Sequence, residues 1–390
     1  MATENNNKTL NVPNLRFPEF SGEWEQYRLG DLVEIRSGVS PSGVVEDIGV
    51  SPFYKVEQLN NCHIKLGATP YWTKQSAIPA DSIVFPKRGA AIMTNKIRIS
   101  TQPCQIDTNL MALTVVNNEK FDFKFIYHFI DRCNLSKIAD TSTIPQINNI
   151  HINPLKIRIP SFDEQKKIST LFTILDERIA TQIKVIEDLK KLKSAITHSH
   201  FENSIIKYPA RYIGDCIEQV SRRNKNGEID NVLSVSNKSG FITQSEQFED
   251  REIASEDTTN YKVVRLNDFA YNPARINVGS IARLQSSLPG IVSPMYVCFR
   301  TSHILLPEYF EHFFATQYFK HEMHKRLEGS VRLCLTFDSL CNIKIALPPI
   351  ETQKQFSQQI LALENKVRNE MTLLSMYQSL KQYFLSQMFI

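Results

Sequence analysis

The sequence of 390 residues predicts an α+β protein whose fold is repeated along the chain. Three observations predict it. A long segment recurs 188 positions later without a gap, its apolar residues follow a helical period, and short β-prone runs precede both copies. We expect two globular domains, each a twisted, mainly antiparallel sheet with helices. Two long helices separate them and pair as an antiparallel coiled coil, which gives the chain pseudo-two-fold symmetry.

The repeat is clearest where each long helix begins. Residues 159–169 are IPSFDEQKKIS, and residues 347–357 are LPPIETQKQFS. Neither following segment contains an internal Pro or Gly, so each is expected to form one helix of about 40 residues, about 60 Å long. The first start has a capping-box pattern, in which Ser161 caps the helix and Glu164 reaches back to it.

The apolar residues of both helices recur every three or four positions, with a mean step of about 3.5 residues, as in a left-handed coiled coil. The residues predicted to pair are Phe172, Leu175, Ile179, Ile183, Ile186, Leu189 and Leu192 in the first helix, and Ile360, Leu363, Val367, Met371, Leu374, Tyr377 and Leu380 in the second. The alternative is that each stripe only covers its neighbouring domain.

These features divide the chain into five segments. They are a disordered polar tail (1–20), a first domain (21–159), a central helix (160–204), a second domain (205–347) and a C-terminal helix (348–390). The two domains also resemble each other loosely. Each has a Gly-Asp pair after a β-prone run, at Gly30 and Gly214, and Arg88 corresponds to Arg275.

Composition indicates an ordinary globular protein and suggests its cellular compartment. The chain has 42% hydrophobic residues and a net charge of +4, which permits an anionic partner without requiring one. It has neither an apolar run long enough to cross a bilayer nor a signal peptide, so we expect a cytoplasmic protein without a membrane partner. Its seven cysteines are scattered without a C-x-x-C pair, which favours reduced thiols over a metal site.

Motifs for common enzyme chemistry are missing from the sequence. It has no P-loop, no G-x-S-x-G elbow and no H-E-x-x-H helix. The pair His321 and His324 does not have the spacing of metal ligands, and we predict no metal site. The segment YNPA at Tyr271 lacks the rest of an amino-methyltransferase motif, so methylation by this chain alone is not expected.

Basic loops stand at equivalent places in the two domains. Residues 81–100 and residues 262–283 each contain four cations and one acid, and a third basic turn, SRRNKNG, begins at Ser221. Arginine and asparagine can recognise base edges, whereas lysine mostly contacts phosphate, so these loops predict DNA contacts. The alternative is ordinary surface charge. The candidates are Lys87, Arg88, Lys96, Arg98, Arg222, Arg223, Lys225, Asn272, Arg275, Asn277, Ser280 and Arg283, with Lys262 and Arg265 nearby.

The layout resembles the specificity (S) subunit, or HsdS, family of type I restriction-modification systems. The resemblance covers essentially the whole chain and is most specific at the two helix starts, IPSFDEQKKIS and LPPIETQKQFS. LRFPEFSGEWEQYRLGDLVEIRSG near the start and NDFAYNPARINVGSIA in the second domain also look like this family. One departure is Thr352, which stands where the first helix start has Glu164 and implies weaker capping.

The resemblance implies a non-enzymatic DNA-recognition subunit. Each domain would recognise one half of a split double-stranded DNA target, and the paired helices would set the spacer. Two modification (methyltransferase) subunits would dock on it and restriction subunits would join them, with S-adenosylmethionine, ATP and Mg²⁺ bound by these partners. By position, the resemblance adds weaker DNA-contact candidates before each helix, namely Ser142, Thr143, Gln146, Ser330 and Arg332.

Two other functions remain open from the sequence. The chain could be a protein-interaction scaffold whose basic loops are incidental, or a self-contained DNA enzyme with a degenerate active site. The salt dependence of DNA binding distinguishes the scaffold from a DNA-recognition subunit, because counterion release makes specific DNA affinity fall steeply with salt. Activity without an added modification subunit would identify the second.

Overall fold

The structure is a computed structural model that describes residues 11–46, 48–60, 64–237, 239–243, 257–329 and 333–390. The chain forms two compact units. Unit 1 comprises Met1–Val185 and Glu370–Ile390, and unit 2 comprises Ile186–Asn369. None of the helices in the described ranges is both long and apolar enough to span a membrane.

The globular part of unit 1 contains nine strands and three α-helices in the described residues. They are β1 (Glu25–Arg28), β2 (Val33–Ser37), β3 (Ser51–Tyr54), β4 (Trp72–Thr73), β5 (Ile83–Pro86), β6 (Arg98–Ile99), β7 (Gln105–Ile106), β8 (Leu110–Val115), α1 (Phe123–Cys133), α2 (Leu135–Ile138), α3 (Asn149–Ile152) and β9 (Lys156–Ile159). The strand order β2-β8-β5-β6 forms an antiparallel sheet, β1 pairs with β9, and β3 lies between β4 and β7.

A long helix, α4 (Phe162–Lys207), leads from unit 1 into unit 2. The globular part of unit 2 follows it, with β10 (Ala210–Tyr212), β11 (Ile217–Gln219), β12 (Leu233–Ser236), β13 (Gly240–Thr243), β14 (Lys262–Val264), β15 (Phe269–Tyr271), β16 (Ile281–Arg283), β17 (Gly290–Val292), β18 (Val297–Thr301), α5 (Pro307–Phe313), α6 (Gln317–His324), α7 (Phe337–Cys341) and β19 (Lys344–Ala346). The last helix, α8, spans Ile350–Met388.

The same core topology occurs in both units. The sheet β11-β18-β15-β16 in unit 2 matches β2-β8-β5-β6 in unit 1, and the pair β10 with β19 matches β1 with β9. Asp81 and Asn267 precede the equivalent strands β5 and β15, and both have left-handed φ angles, of 58° and 70°. Asx residues tolerate this conformation better than most side chains. The predicted α+β fold class is confirmed.

The repeated Gly-Asp pair has a steric reason. A Cβ atom at Gly30 would lie 2.9 Å from the Cα of Asn153, and one at Gly214 would lie 2.9 Å from the Cβ of Cys341. In each unit this glycine lets the chain after β1 or β10 pass close to the segment that precedes β9 or β19. The sequence repeat therefore marks a close backbone approach that the fold uses twice.

A buried glutamine joins each domain to its long helix. The Gln165 amide accepts a hydrogen bond from Asp122 N at 2.9 Å and donates to the carbonyls of Lys120 and Pro160. Gln353 makes the equivalent set in unit 2, accepting from Leu306 N at 2.8 Å and donating to two carbonyls. Each glutamine thus satisfies backbone groups at a helix start, where they lack intrahelical partners.

The two long helices run antiparallel within each unit. In unit 1, the Gln182 amide donates to the Glu370 carbonyl at 3.1 Å. In unit 2, the rings of His200 and Phe356 stack with their centroids 4.0 Å apart. The helix ends also complete the domain cores, since Phe389 packs on Phe125 in unit 1 and Phe356 packs on Tyr309 in unit 2.

Most of the predicted pairing residues are buried or half-buried, with three exceptions. Leu192, Met371 and Leu380 are 47%, 51% and 40% exposed. The prediction that these three side chains lie in the pairing seam is corrected here. A strict period of about 3.5 residues drifts around an α-helix of about 3.6 residues per turn. By the end of α8 the buried face has moved to Leu385 and Met388.

The described part of the segment predicted to be a disordered tail, residues 11–20, is held by hydrogen bonds to the rest of the protein. Leu15 N donates to the Gln387 carbonyl at 3.0 Å, and Trp24 N donates to the Asn11 carbonyl at 2.9 Å. Arg16 binds both carboxylate oxygens of Glu164 at 2.7 Å. Glu164 is therefore used to hold the N-terminal segment, which corrects its predicted role in a capping box. Positions 1–10 lie outside the described ranges.

Candidate nucleic-acid interface

Two predicted DNA-contact segments lie side by side in unit 1. The loop after β5 contains Lys87 and Arg88, and the segment before α3 contains Gln146. Ile147 N donates to the Lys87 carbonyl at 2.8 Å, and Arg88 and Gln146 form an isolated antiparallel bridge. We call this region surface 1 and define it by Lys87, Arg88, Ser142, Thr143 and Gln146. All five side chains are exposed or half-buried.

The polar part of surface 1 is a short hairpin held by its own hydrogen bonds. Asp140 and Gln146 exchange two backbone hydrogen bonds, both of 2.9 Å. The Asp140 carboxylate also accepts from Ser142 N at 2.9 Å, and the hydrogen bonds from Ser142 lower the pKa of that carboxyl. The backbone is ordered by these contacts, while the side chains of Ser142 and Thr143 remain exposed.

Unit 2 has the same arrangement at the matching positions. Glu328 and Cys334, which the repeat aligns with Asp140 and Gln146, also exchange two backbone hydrogen bonds, of 3.0 and 2.8 Å. Leu335 N donates to the Pro273 carbonyl at 3.1 Å, which corresponds to the bond between Ile147 and Lys87. Two candidates in this second hairpin, Ser330 and Arg332, lie outside the described residues.

The loop between β15 and β16 forms the described part of the second surface. The Asn272 carboxamide accepts from Ala274 N at 3.1 Å, and Asn272 N donates to the Ser280 carbonyl at 3.1 Å. Gly279 has a φ of 93°, which lets the chain turn back into β16. At the tip, Arg275 and Asn277 are exposed. We call Asn272, Arg275 and Asn277 surface 2.

A basic groove of about 560 Å³ lies elsewhere in unit 2. Its cationic lining residues are Arg222, Arg223, Lys225 and Arg265, all exposed. Asn224 is buried beneath them and holds the turn, because its carboxamide donates to the Ile229 carbonyl at 2.8 Å and accepts from Ile229 N at 3.2 Å. The groove therefore presents several positive charges from a backbone that is already ordered.

Three predicted contacts are engaged within the protein. Arg98 is 9% exposed and donates to the Leu59 and Ile97 carbonyls, and the buried Ser280 hydroxyl donates to the Val235 carbonyl at 2.9 Å. Arg283 pairs with Glu311 at 2.9 Å and with Glu308 at 3.3 Å. We omit all three from the candidate interface because their polar groups already have partners within the protein. The sequence prediction included them because composition does not indicate which face of a strand a residue occupies.

Three lysines of the predicted loops also have internal partners. Lys262 donates to the Tyr296 carbonyl at 2.7 Å, and Lys96 donates to the Asn60 side chain. Lys87 donates to the Ser37 hydroxyl at 2.9 Å, and burial together with the Arg88 charge lowers its pKa. Lys87 remains part of surface 1 because its ammonium lies near the exposed Arg88.

Sequence reasoning did not identify the residues that order these loops. Asp140 and Asn224 are short polar side chains that bond to the backbone a few positions later in the chain. The sequence pattern that could have predicted this role is an Asp or Asn at the start of a turn. In the second case Gly227, with a φ of 63°, follows Asn224. Within the described ranges, no group of three or more His, Cys, Asp or Glu side chains is placed to hold a metal ion.

Comparison with known families identifies this architecture. The family model described as the type I restriction modification DNA specificity domain matches residues 21–191. The chain is 23% identical over 392 residues to the type I restriction enzyme MjaVIII specificity subunit of Methanocaldococcus jannaschii, which covers 90% of this chain and 88% of that protein. This chain is therefore similar to type I restriction enzyme specificity subunits over most of its length, and its residues 21–191 match their DNA specificity domain. The resemblance inferred from the sequence is thereby confirmed.

A further relative and two solved structures are also similar to this chain. The putative type I restriction enzyme MjaX specificity subunit of the same organism is 23% identical over 92% of this chain and 91% of that protein. The S subunit from M. genitalium superposes with a TM-score of 0.61 at 14% identity, covering 97% of this chain and 99% of that one. A second structure, of a type I R-M system, has a TM-score of 0.54 at 15% identity and covers 93% and 96%. Both structures share the fold.

Proposed function

We propose that this chain is the DNA sequence-recognition subunit of a type I restriction-modification enzyme. The globular domains, residues 21–159 and 205–347, each recognise one half of a bipartite double-stranded target, and α4 with α8 sets the spacer between the halves. One observation carries this proposal. In both units the loop after the equivalent strand, β5 or β15, lies beside a segment whose end residues exchange two backbone hydrogen bonds, Asp140 with Gln146 and Glu328 with Cys334, as a protein that contacts two half-sites requires.

The chemistry of the surfaces suits DNA. Arg88 and Arg275 are exposed in the loops that follow the equivalent strands β5 and β15 and can donate two hydrogen bonds to guanine, while Gln146 and Asn277 can pair with adenine. The cations of the basic groove supply charge for phosphate contacts, which position a protein on the duplex without reading its sequence. Specific and non-specific contacts are thus provided by different residues.

The catalytic steps belong to partner subunits in this proposal. Two modification subunits dock on the paired helices and methylate adenine with S-adenosylmethionine, and restriction subunits that use ATP and Mg²⁺ join this assembly. Similarity to specificity subunits supports a non-catalytic role for this chain. We place the protein in the cytoplasm, where its DNA target is.

The salt dependence of DNA binding tests this function. Affinity for duplex DNA containing the target should fall steeply with salt, because each phosphate contact releases counterions. Arg222→Ala should weaken binding and reduce the slope of log Kd against log salt by about 1. Fluorescence anisotropy over a salt series measures both quantities for the subunit assembled with its modification subunits.

Two matched variants sharpen the test. Lys325→Ala removes an exposed cation of the same unit that is already paired with Glu322 at 3.0 Å, so the slope should not change. Asn224→Ala loosens the groove without removing a charge, so affinity should fall while the slope is retained. A flat salt response of the unmodified protein would favour the protein-interaction scaffold, and methylation without a modification subunit would favour a self-contained enzyme.

A further inference from the structure

Three segments of unit 1 pair side by side at surface 1. Gln146 is bridged on one side to Arg88 and on the other side to Asp140, and both bridges are antiparallel. Side chains directly opposite each other across paired strands point to the same face. Arg88, Gln146 and Asp140 therefore stand in one row, which we call row 1.

The spacing of Arg88 and Gln146 suits neighbouring base pairs. Two backbone hydrogen bonds of 2.8 Å flank the pair, and the residues before and after Arg88 make them with the residues after and before Gln146. Opposite residues in this arrangement have Cα atoms about 4.5 Å apart, with their side chains close together. Because stacked base pairs are about 3.4 Å apart, the two side chains can reach two successive base pairs.

The side chains of Arg88 and Gln146 are available to a ligand. Neither the guanidinium nor the carboxamide has a hydrogen-bond or ionic partner among the described residues. Lys87, the charged neighbour of Arg88, has the same sign and does not neutralise it. Arg98 and Arg283, by contrast, donate to partners within the protein. A guanidinium and a carboxamide side by side are the groups that recognise the edges of guanine and adenine.

The backbone hydrogen bonds identify the counterpart of Arg88 in unit 2. The Pro273 carbonyl accepts a hydrogen bond from the hairpin of unit 2, just as the Lys87 carbonyl accepts one from the hairpin of unit 1. The residue after Pro273 is Ala274, which therefore corresponds to Arg88. The sequence alignment pairs Arg88 with Arg275 instead, so the structure shifts this correspondence by one residue.

The equivalent row of unit 2 has different chemistry. The bridge between Glu328 and Cys334 matches the one at the end of row 1. Ala274 and Cys334, both half-buried, thus occupy the places that an arginine and a glutamine occupy in row 1. We call Ala274, Cys334 and Glu328 row 2. A methyl group and a thiol offer no strong hydrogen bond to a base edge, whereas small apolar side chains contact the methyl group of thymine.

We propose that row 1 reads a guanine with Arg88 and an adenine of the adjacent base pair with Gln146, whereas row 2 reads the methyl group of a thymine with Ala274. This inference rests on the proposed function and deepens it. The two half-sites are then recognised by different chemistry although the fold is duplicated. The paired backbone is shared, so a few side chains in each row determine the bases that are read.

Substitutions in row 1 should relax the target at two defined positions. Sequencing of methylated adenines in cells that express the subunit with its modification subunits gives the target. Arg88→Ala should reduce the preference for guanine about tenfold at one base pair, and Gln146→Ala should do the same for adenine at the adjacent base pair of that half-site. Arg132→Ala, which removes another exposed arginine of unit 1, should change neither preference.

Three results of this experiment would overturn the inference. They are an unchanged target in Arg88→Ala, a uniform loss of methylation at all targets, and relaxation by the two variants at positions that are not adjacent. A uniform loss would identify Arg88 as a phosphate contact, because such contacts do not depend on the sequence.

A modified base tests the arginine contact at a single atom. Replacing the guanine of a synthetic target with 7-deazaguanine removes the N7 acceptor and keeps the base pairing. Methylation by the unmodified complex should fall about tenfold, whereas Arg88→Ala should methylate both targets equally. An equal loss with both proteins would contradict the role of Arg88.

Row 2 is tested with uracil in place of the thymine. This replacement removes only the methyl group, so methylation by the unmodified complex should fall about fourfold. Ala274→Gly removes the group that contacts this methyl and should methylate the two targets equally. The same preference for thymine in Ala274→Gly would contradict the role of Ala274.

A transfer of side chains tests both rows together. Ala274→Arg with Cys334→Gln gives row 2 the first two side chains of row 1. The second half-site of this variant should contain an adjacent guanine and adenine where the unmodified protein requires thymine, while the first half-site stays the same. An unchanged second half-site, or loss of methylation at every target, would overturn the inference for row 2.

The unmodified complex separates this inference from the function on which it rests. If it methylates no bipartite target, the proposed function itself is wrong. A bipartite target without an adjacent guanine and adenine in either half-site would leave that function standing and would overturn this inference alone.

Discussion

His128 and His312 lie on the equivalent helices α1 and α5, and both face the long helices. His128 is 2% exposed and packs on Phe172 with 5.0 Å between ring centroids. Burial lowers the pKa of His128 well below its usual value, and Lys381 and Lys124 lower it further. Burial lowers the pKa of His312 to about 4, with Glu364 opposing and Lys193 and Arg283 adding to the shift. Both imidazoles are therefore held neutral in the folded protein.

A pH dependence of stability follows for His312. Its folded pKa lies below the unfolded value of about 6.5, so the unfolded chain takes up the proton first as the pH falls. The contribution of His312 is complete above about pH 6.5 and declines toward pH 4, with a loss of about 2 kcal/mol by pH 5. Urea unfolding of the wild type and of His312→Gln at about pH 7.5 and pH 5 measures this loss. The free energy of unfolding of the variant should fall less between the two pH values than that of the wild type.

His303 provides the comparison because it is an exposed histidine in the same unit. His303→Gln should keep the wild-type difference between the two pH values. Equal pH dependence of His312→Gln and wild type would show that other groups cause the acid sensitivity.

At the scale of elements, the helix starts explain why the sequence repeats a short motif. The first glutamine of each motif, Gln165 or Gln353, is almost fully buried and connects three backbone groups of its unit. Glu164, its neighbour, instead binds Arg16, and Thr352 replaces it in the second motif. The shared requirement is therefore the glutamine, and the acidic residue serves a contact particular to unit 1.

Replacing Gln353 with Ala should destabilise unit 2. The variant leaves Leu306 N and the carbonyls of Ile304 and Pro348 without their side-chain partner, and an unsatisfied buried group costs about 1 to 3 kcal/mol. The unfolding midpoint in urea should fall accordingly. Gln358→Ala, at an exposed site on the same helix, should change the free energy of unfolding by less than about 0.5 kcal/mol. Similar losses in the two variants would refute the role of Gln353.

At the scale of the whole molecule, the proposed function makes spacer length a property of the helix pair. The test inserts one heptad after Asp188 in α4 and another after Met376 in α8. The repeat aligns these two positions, and insertions of seven residues preserve the apolar pattern. Each lengthens its helix by about 10 Å, so the methylated target should gain about three base pairs of spacer.

Sequencing of methylated adenines in cells that express the lengthened subunit with its partners measures this change. An insertion in α4 alone, without its counterpart in α8, is the control and should impair methylation of every spacer, because the two paired helices then no longer match in length. If the double insertion left the spacer unchanged, the helices would not determine it.

Much of this architecture was predictable because it depends on periodic patterns. The helices were expected at 160–204 and 348–390, and they span Phe162–Lys207 and Ile350–Met388. Long runs without Pro or Gly and with one apolar stripe have few alternative structures. The basic residues were harder to interpret, since Arg98 and Arg283 lie on the equivalent strands β6 and β16 and bind internal partners instead.

The sequence by itself determined the duplicated α+β fold, the two long helices and the pair of basic loops, because residue spacing and local composition are sufficient for these features. Only the tertiary structure decided that the loop after β5 meets the hairpin at Gln146, that Asn224 orders the basic groove, and that Lys381 lies between Asp131 and Asp176. Most of these contacts join residues far apart in the chain. Their partners are selected by packing and by the burial of charge, which no local pattern encodes.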